Sequence, residues 1–312
     1  MAGTTVFSLL LLVVSLLFFF LGLRLMQGLS QAAAPRLGRL LVLATSTPWR
    51  GLVVGTAVTA LVHSSSAVTI TTVALVTSGL LPLENALGIV LGSNIGTCAT
   101  VQFLALDFTR FGFPLAALGL AAALVSRRIH RRRLALAVAG LGFLLAALDL
   151  LARALTPLAG LPSSYDLLAH WAASPGRALA AGMVATAVVQ SSTLFTAAIV
   201  TFTAQGLLTL PAAVALVLGS NIGTCADTLV AAIWGNGAGR RVALAHLLLN
   251  LGGVAVFFPL TGAFAALVSL TSASPAGQVA NAHLLFNLIT SLAALPFTRA
   301  FAAWLGRLPG HG

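Results

Sequence analysis

A chain of 312 residues that is 59% hydrophobic and only 7% charged is no ordinary soluble domain, in which about a quarter of residues are charged. Several apolar runs reach the ~18–20 residues needed to cross a bilayer, so the composition is that of a polytopic membrane protein. The net charge of +11 comes from 16 basic residues, all arginine, against 5 acids. These arginines lie between apolar spans and read as orientation signals rather than as a nucleic-acid footprint. Two cysteines, Cys98 and Cys225, give no disulfide framework and too few ligands for a metal site.

Residues 4–23 are apolar and end at Arg24. No positive charge precedes them, which favours a spanning helix over a signal peptide. Residues 25–50 carry Gln27, Gln31, Arg36, Arg39 and Arg50 among leucines and read as an amphipathic interfacial segment. Residues 51–79 have two readings. They cross once, or they form a re-entrant hairpin with its tip at His63-Ser64-Ser65-Ser66, each arm only ~18 Å long. Residues 83–106 form the next span, with Gly92-Ser93-Asn94-Ile95-Gly96-Thr97 at its centre. Two glycines flanking Ser and Asn predict a break there. A short loop, Asp107 to Arg110, leads to a span at 111–126. The densest charge cluster follows, Arg127 to Arg133.

The plan then returns. Shifted by 127 positions, Thr59–Ala99 aligns without a gap on Thr186–Ala226, with about half the positions identical. The shared Gly-Ser-Asn-Ile-Gly-Thr-Cys run, at a fixed distance from a Ser-Ser pair, marks an internal repeat. Residues 134–151 span, 153–177 lie at the interface, and 178–206 hold the second hairpin with Gln190-Ser191-Ser192-Thr193 at its tip. Residues 207–233 form the second broken span and 242–265 another. A last span, 280–298, has no counterpart in the first half. The expected units are repeat 1 at 1–126, an Arg-rich cytoplasmic linker at 127–133, repeat 2 at 134–265, and a C-terminal helix and tail at 266–312.

Arginine positions choose between hairpin and crossing. With hairpins, 13 of the 16 arginines share one side; with full crossings, 11 do, and the 127–133 cluster falls on the wrong side. The positive-inside rule selects hairpins. Each repeat then crosses three times, so the two are inverted. The predicted fold is all-α: two inverted repeats, each with a re-entrant helical hairpin and a broken transmembrane helix, plus one extra C-terminal span. The N-terminus is outside and the C-terminus cytoplasmic. Such broken helices meeting near the midplane are the architecture of secondary transporters.

Helix N-termini at the hairpin tips suit an anion, and hydroxyl and carbonyl oxygens suit a hard cation such as Na⁺. The tip residues His63, Ser64, Ser65, Ser66, Gln190, Ser191, Ser192 and Thr193 are the candidates for the anion. Ser93, Asn94, Thr97, Ser220, Asn221, Thr224, Thr69 and Thr196 are the candidates for the cation. Singly, membrane Ser and Thr bond back to their own helices; two motifs, twice, at constant spacing, point to a binding site. Asp227 follows the second Gly-Thr-Cys, where an intramembrane carboxylate is a candidate for coupling; its counterpart is Thr100. His246 with Asn250, and His283 with Asn287, share helical faces and read as inter-helix hydrogen-bond formers. Glu84, Asp149 and Asp166 read as interfacial and solvated.

Paired Ser-rich motifs, each followed by Gly-x-Asn-Ile-Gly-Thr, resemble the type II sodium-dependent phosphate cotransporter family over roughly Thr4 to Asn287. The resemblance implies Na⁺-coupled movement of inorganic phosphate, with substrate and Na⁺ held by the two Ser-rich motifs and no cofactor beyond the coupling ion. It also fits the His-x-x-x-Asn pairs. Bacterial members often carry a C-terminal domain similar to the phosphate-uptake regulator, and the expectation here is a member without it. The expected partners are phosphate, Na⁺ and the bilayer of the plasma, or bacterial inner, membrane; a homodimer stays open. The first motif departs from the family pattern with His63 in place of Gln, and the second with Thr193 in place of a third Ser. An imidazole can titrate near neutral pH where an amide cannot, or simply bond a nearby carbonyl. Alternative readings are an exporter or transporter of another oxyanion, proton-linked through His63 or Asp227, a channel, and an intramembrane enzyme with His63 as base. Gln190 in the second repeat, where a base would be needed, counts against the last.

Overall fold

The computed structural model describes residues 2–106, 108–159, 162–233 and 235–307, without the side chains at 2–4, 27–40, 43, 158, 159, 162–165 and 167. The described residues are helical almost throughout, and no strand occurs among them. Among the described residues, seven helical stretches are long and apolar enough to cross a membrane: Thr5–Met26, Leu83–Ala105, Phe108–Val125, Ile129–Pro157, Leu210–Ile233, Gly237–Phe257 and Pro275–Gly306.

Four shorter helices come in two pairs, α2 (Pro48–Val62) with α3 (Ser65–Thr77), and α8 (Pro175–Val189) with α9 (Ser192–Ala204). Their ends are offset by the same 127 positions as the sequence repeat. Thr47 and Ser174 cap the first helix of each pair, donors coming from Arg50 N and Arg177 N, and a proline follows at the first helical position; that residue's missing N–H would be unpaired in any case. At 1.5 Å per residue the four helices are ~20–22 Å long, too short for a ~30 Å hydrocarbon core.

The pairs fold back on themselves because of what α4 (Leu83–Ala105) and α10 (Leu210–Gly223) do. Gly88 lies against Pro48, Gly92 against Leu52 and Gly96 against Thr56, so α2 and α4 run parallel. The chain leaves α3 through Gly79, at φ 71°, and enters α4 within a few residues. Helix α3 therefore runs antiparallel to both, and α2–α3 is a hairpin. Gly219 against Leu179 and Gly223 against Met183 repeat the arrangement. A Cβ on Gly96 would sit 2.6 Å from the Thr56 carbonyl oxygen, and one on Gly223 2.5 Å from that of Met183. Small residues at such crossings let backbones touch, which is how helices associate where no hydrophobic drive separates them from lipid.

This packing corrects an expectation. The Gly92–Thr97 stretch does not break its helix, since α4 is continuous from Leu83 to Ala105. The glycines there are contact points, and tertiary packing overrides their weak helix propensity. Only the second repeat is interrupted, at Thr224, before α11 (Cys225–Ile233).

Other boundaries also differ. Helix α1 (Ala2–Ala44) does not end at Arg24, so the expected interfacial segment at 25–50 is helix as far as Ala44. Its side chains at 27–40 lie outside the described residues. After α5 (Gly112–Val125), α6 (Ile129–Ala159) begins within the arginine cluster and carries Pro157 inside it. Only α7 (Pro162–Ala172) remains as a separate short helix. The span expected at 242–265 is α12 (Gly237–Phe257), which stops ahead of Pro259, a residue that cannot donate to the preceding turn. The chain resumes as α13 (Thr261–Ser269). The last span is α14 (Pro275–Ala294), continued through a 3₁₀ turn at Leu295–Phe297 into α15 (Thr298–Gly306).

Helices α1, α5 and α6 pack together. Phe19 clusters with Leu144 and Ala147, Gly22 faces Gly140, and Leu12 joins Leu148 and Leu151, so α1 and α6 are antiparallel. Gly112 faces Ala146 and Gly119 faces Ala139, which sets α5 antiparallel to α6. Helices α12 and α14 lie among the hairpins, α12 against α3 and α11, α14 against α4 and α9.

Those two helices reveal a second duplication. Val242-Ala-Leu-Ala-His246-Leu-Leu-Leu-Asn250-Leu returns 37 positions later as Val279-Ala-Asn-Ala-His283-Leu-Leu-Phe-Asn287-Leu. Pro259, Thr261 and Ala263-Phe-Ala-Ala return as Pro296, Thr298 and Ala300-Phe-Ala-Ala. Helices α13 and α15 begin and end at the same offset. The last span does therefore have a counterpart, within the second half of the chain.

The glycine contacts are testable. Gly92→Val should destabilise the protein by about 1–3 kcal/mol, the range for overpacking a close contact. Gly252→Ala, at a position with nothing within 4 Å, should be neutral or stabilising. Thermal unfolding in detergent distinguishes them, and equal effects would contradict the close α2–α4 approach.

Candidate functional site

The two hairpin tips face a common cavity. Its volume is about 80 Å³, lined by His63, Ser64, Ser65 and Ser66 from one tip and Gln190, Ser191, Ser192 and Thr193 from the other. A single water needs about 10–15 Å³ of such space, so there is room for several waters or one small oxyanion. Thr186, Thr224 and Asp227 complete the polar wall, and Phe19, Phe20 and Leu23 of α1 close the apolar side. All eight tip residues expected from sequence thus come together. The α1 side chains were not anticipated; they lie in an apolar run where nothing distinguishes them from lipid-facing neighbours. A larger cavity beside α8 and α9, lined by Trp171, Val184, Val188, Phe195 and Phe202 among others, is apolar and offers an ion nothing to bind.

Each tip is built in the same way. Helix α2 ends with His63 at φ 53°, ψ 32°, and α8 ends with Gln190 at φ 54°, ψ 28°. A left-handed backbone costs a non-glycine residue roughly 1–2 kcal/mol, and glycine would remove that cost. Both tips keep a polar side chain there, on the cavity wall, which is the pattern of strain held at functional positions. The next residue caps the following helix: Ser64 accepts from Ala67 N at 3.2 Å, and Ser191 accepts from Leu194 N at 3.2 Å. The N–H groups of the first turns of α3 and α9 have no acceptor within their own helices. Two helix N-termini therefore converge on one small volume, with partial positive charge suited to an anion. The C-terminal carbonyls of α2 and α8 end beside them, with partial charge of opposite sign.

Asp227, at the start of α11, is the carboxylate on this wall. Ser66 donates a hydrogen bond to it across the two repeats. Among the described residues no arginine lines the cavity, so an anion there meets neutral donors and one carboxylate rather than a fixed cation. His63 Nδ1 pairs with Thr100 Oγ1 at 2.5 Å, the position equivalent to Asp227. The described hydrogen bond of His63 thus goes to Thr100 and not to a tip serine.

The eight residues expected to hold a cation do not gather at the cavity. Of them, only Thr224 lines it. Ser93 donates to Val90 O at 2.8 Å, Thr97 to Ser93 O at 2.9 Å, and Thr69 to Ser65 O at 3.0 Å. Asn94 donates to Asn250 Oδ1 at 2.9 Å and Asn221 to Val217 O at 2.8 Å. Thr224 donates to Asn221 O at 2.7 Å, and Ser220 accepts from Thr186 Oγ1 at 2.9 Å. Thr196 Oγ1 is buried and has no partner. Most of these groups hold helices in place. Among the described residues, no group of three or more His, Cys, Asp or Glu side chains is placed to hold a metal ion. Of the remaining acids, Asp149 pairs with Arg153 at 2.8 Å and Glu84 lies 3.7 Å from Arg299 of α15.

Seven long apolar helices among the described residues, with two hairpin tips facing a small polar cavity, define a multi-pass membrane protein. The chain belongs to the Na+/Pi-cotransporter family, which it matches over residues 18–153 and again over 154–295. It is 32% identical to the Bacillus subtilis protein named YqeW across 84% of this chain and 85% of that one. It is 31% identical to the putative inorganic phosphate export protein YjbB of Salmonella typhimurium across 69% of this chain, but spans only 39% of that relative's length. A segment of 61 residues is 52% identical to sodium-dependent phosphate transport protein 2A of Ovis aries, covering 20% of this chain and 10% of the relative. No solved structure matches the chain.

The cavity wall can be probed with thiol reagents without removing the native cysteines, because Cys98 and Cys225 are each 0% exposed. A methanethiosulfonate reagent should label Ser65→Cys and Gln190→Cys in the folded protein and leave the native chain unlabelled. Phosphate should slow labelling at both positions. Labelling that phosphate does not affect would remove the anion from the tips.

Proposed function

We propose that this protein is a secondary active transporter that moves inorganic phosphate across the plasma membrane by symport with Na⁺. The observation that carries the reading is the convergence of two hairpin tips, with two helix N-termini, on one small cavity of neutral donors. Phosphate is held by the first-turn N–H groups and by Ser64, Ser65, Ser66, Ser191, Ser192 and Thr193, with His63 and Gln190 as edge contacts. Neutral hydrogen bonds let the anion leave again, as a carrier requires. Na⁺ supplies the countercharge, attracted by the carbonyl ends of α2 and α8 and by Asp227, which serves coupling rather than catalysis.

The two repeats are read as inverted across the membrane, the N-terminus outside and the C-terminus cytoplasmic. The antiparallel pairing of α1 with α6 supports this, because the 127-residue shift relates those helices. The exchange of partners supports it too: α3 packs on α11 of the second repeat while α9 packs on α4 of the first. Net export is the second reading, favoured by the relatives named phosphate export protein. The same carrier would run outward if the gradients or the coupling ion differed.

Proteoliposomes decide between these. Inward Na⁺ should drive phosphate accumulation that a K⁺ gradient does not, and Ser65→Ala and Ser192→Ala should each abolish most of it. Asp227→Asn should raise the Na⁺ concentration for half-maximal uptake by about ten- to a hundredfold, the effect of losing a charged partner. Accumulation driven by a proton gradient instead would make the coupling ion H⁺. Downhill flux that no ion gradient can make concentrative would make the protein a channel.

A further inference from the structure

The 37-residue duplication completes a symmetry that the 127-residue shift alone leaves partial. Helices α3, α11 and α12 in one half correspond to α9, α4 and α14 in the other. Thr69, Thr228 and His246 then match Thr196, Val101 and His283. Asn94, Cys225 and Asn250 match Asn221, Cys98 and Asn287.

The first half is closed. Thr228 Oγ1 bridges His246 Nδ1 at 2.9 Å and Thr69 Oγ1 at 3.4 Å. Asn250 accepts from Asn94 at 2.9 Å and donates to Cys225 Sγ at 3.1 Å. In the second half the bridging hydroxyl is missing, because Val101 stands in the place of Thr228. Its two neighbours, Thr196 Oγ1 and His283 Nδ1, are buried without partners. Asn221 turns its amide to the Val217 carbonyl, and Asn287 Oδ1, which it would otherwise serve, is buried without a partner as well. Thr196, His283 and Asn287 are 0%, 3% and 1% exposed. Buried polar atoms are almost always paired. Three are left bare here, each the counterpart of an atom that is bonded in the first half, where His246 Nε2 alone of these side chains has a bare atom; the contrast marks a site whose occupant is not protein.

We propose that a small monovalent cation, Na⁺ in the transport cycle, binds in this open half between α9, α10 and α14. Asn287 Oδ1 and Thr196 Oγ1 are its oxygen ligands, and His283 Nδ1 lies at its edge. An amide oxygen can only accept, which disfavours an anion, and neutral oxygens suit a hard cation. The closed half has spent the equivalent lone pairs on its own hydrogen bonds and holds no such ion. The inference rests on the reading of the chain as Na⁺-coupled, and it brings His283 and Asn287 into ion binding.

The test is the thermal unfolding of the full chain in detergent, without phosphate, titrated with NaCl against choline chloride at constant ionic strength. Val101→Thr supplies the missing hydroxyl at nearly constant volume, and Asn287→Leu removes a ligand oxygen. Na⁺ should raise the wild-type midpoint, and each variant should need at least about tenfold more Na⁺ for half of that shift. If the wild type does not respond to Na⁺, the Na⁺-coupled reading falls and this site with it. If the wild type responds and both variants respond at the same Na⁺ concentrations, Na⁺ binds elsewhere and the open half holds water, which overturns this inference alone. Should one variant fail to fold, the Na⁺ response of the other decides the matter in the same way.

Discussion

Everything in this structure depends on helices that end inside a membrane protein. In hydrocarbon, a backbone N–H or C=O without a partner costs several kcal/mol, so chain ends are tolerated at depth only where protein or a polar cavity covers them. Helices α2, α3, α8 and α9, too short to span, bring four such ends together in two pairs at the tips. Ser64 and Ser191 satisfy one orphan donor each, and α1 covers the cavity with Phe19, Phe20 and Leu23. The orphan groups that remain are what a dissolved ion needs in place of water. Under the proposed function, the same constraint that makes the hairpins expensive suits them to bind an ion.

Close packing is what fixes the tips at one depth. Because Gly88, Gly92 and Gly96 bring α4 into backbone contact with α2, the tip residue His63 is held beside Thr100. Gly219 and Gly223 do the same for the second hairpin. Slipping one helix against the other would drive a carbonyl into an α-carbon, so the packing fixes the register of each hairpin's first helix on its neighbour. The two repeats meet at the cavity where Ser66 bonds Asp227.

The hairpins were legible in the sequence because their signals are local and duplicated. A Ser-rich tip, arms too short to cross, the arginine distribution and a fixed shift each point to the same element. The glycines misled at one step. Glycine weakens an isolated helix, and nothing in Gly92-Ser93-Asn94 says that Leu52 lies opposite; only the tertiary contact turns a helix breaker into a seam. Bounds in the apolar stretches were poorly marked for a related reason. In a membrane protein the leucine-rich face carries no polar alternation to show where α1 or α6 stops. The second duplication was legible in principle, since His246 and His283 sit in nearly identical decapeptides, but a shift of 37 inside a chain already explained by a shift of 127 is easily overlooked.

The two halves are thus alike in backbone and unlike in chemistry, and that difference matters for a carrier. A symmetric pair of half-sites would bind the same ion twice with equal strength and give no order to binding. Here Asp227 stands on the cavity wall and bonds Ser66, while its counterpart Thr100 bonds His63 of the same tip. A carboxylate stands at one position and a neutral hydroxyl at its equivalent, so the charge around the cavity does not follow the symmetry of the backbone. A phosphate held between two helix N-termini is repelled at the Asp227 end unless a cation stands there first. Under the proposed function, that repulsion is the coupling: the anion binds well only after the cation, and each helps hold the other by the same free energy. The asymmetry that single substitutions introduced into a duplicated chain would then set the order in which its two ions bind.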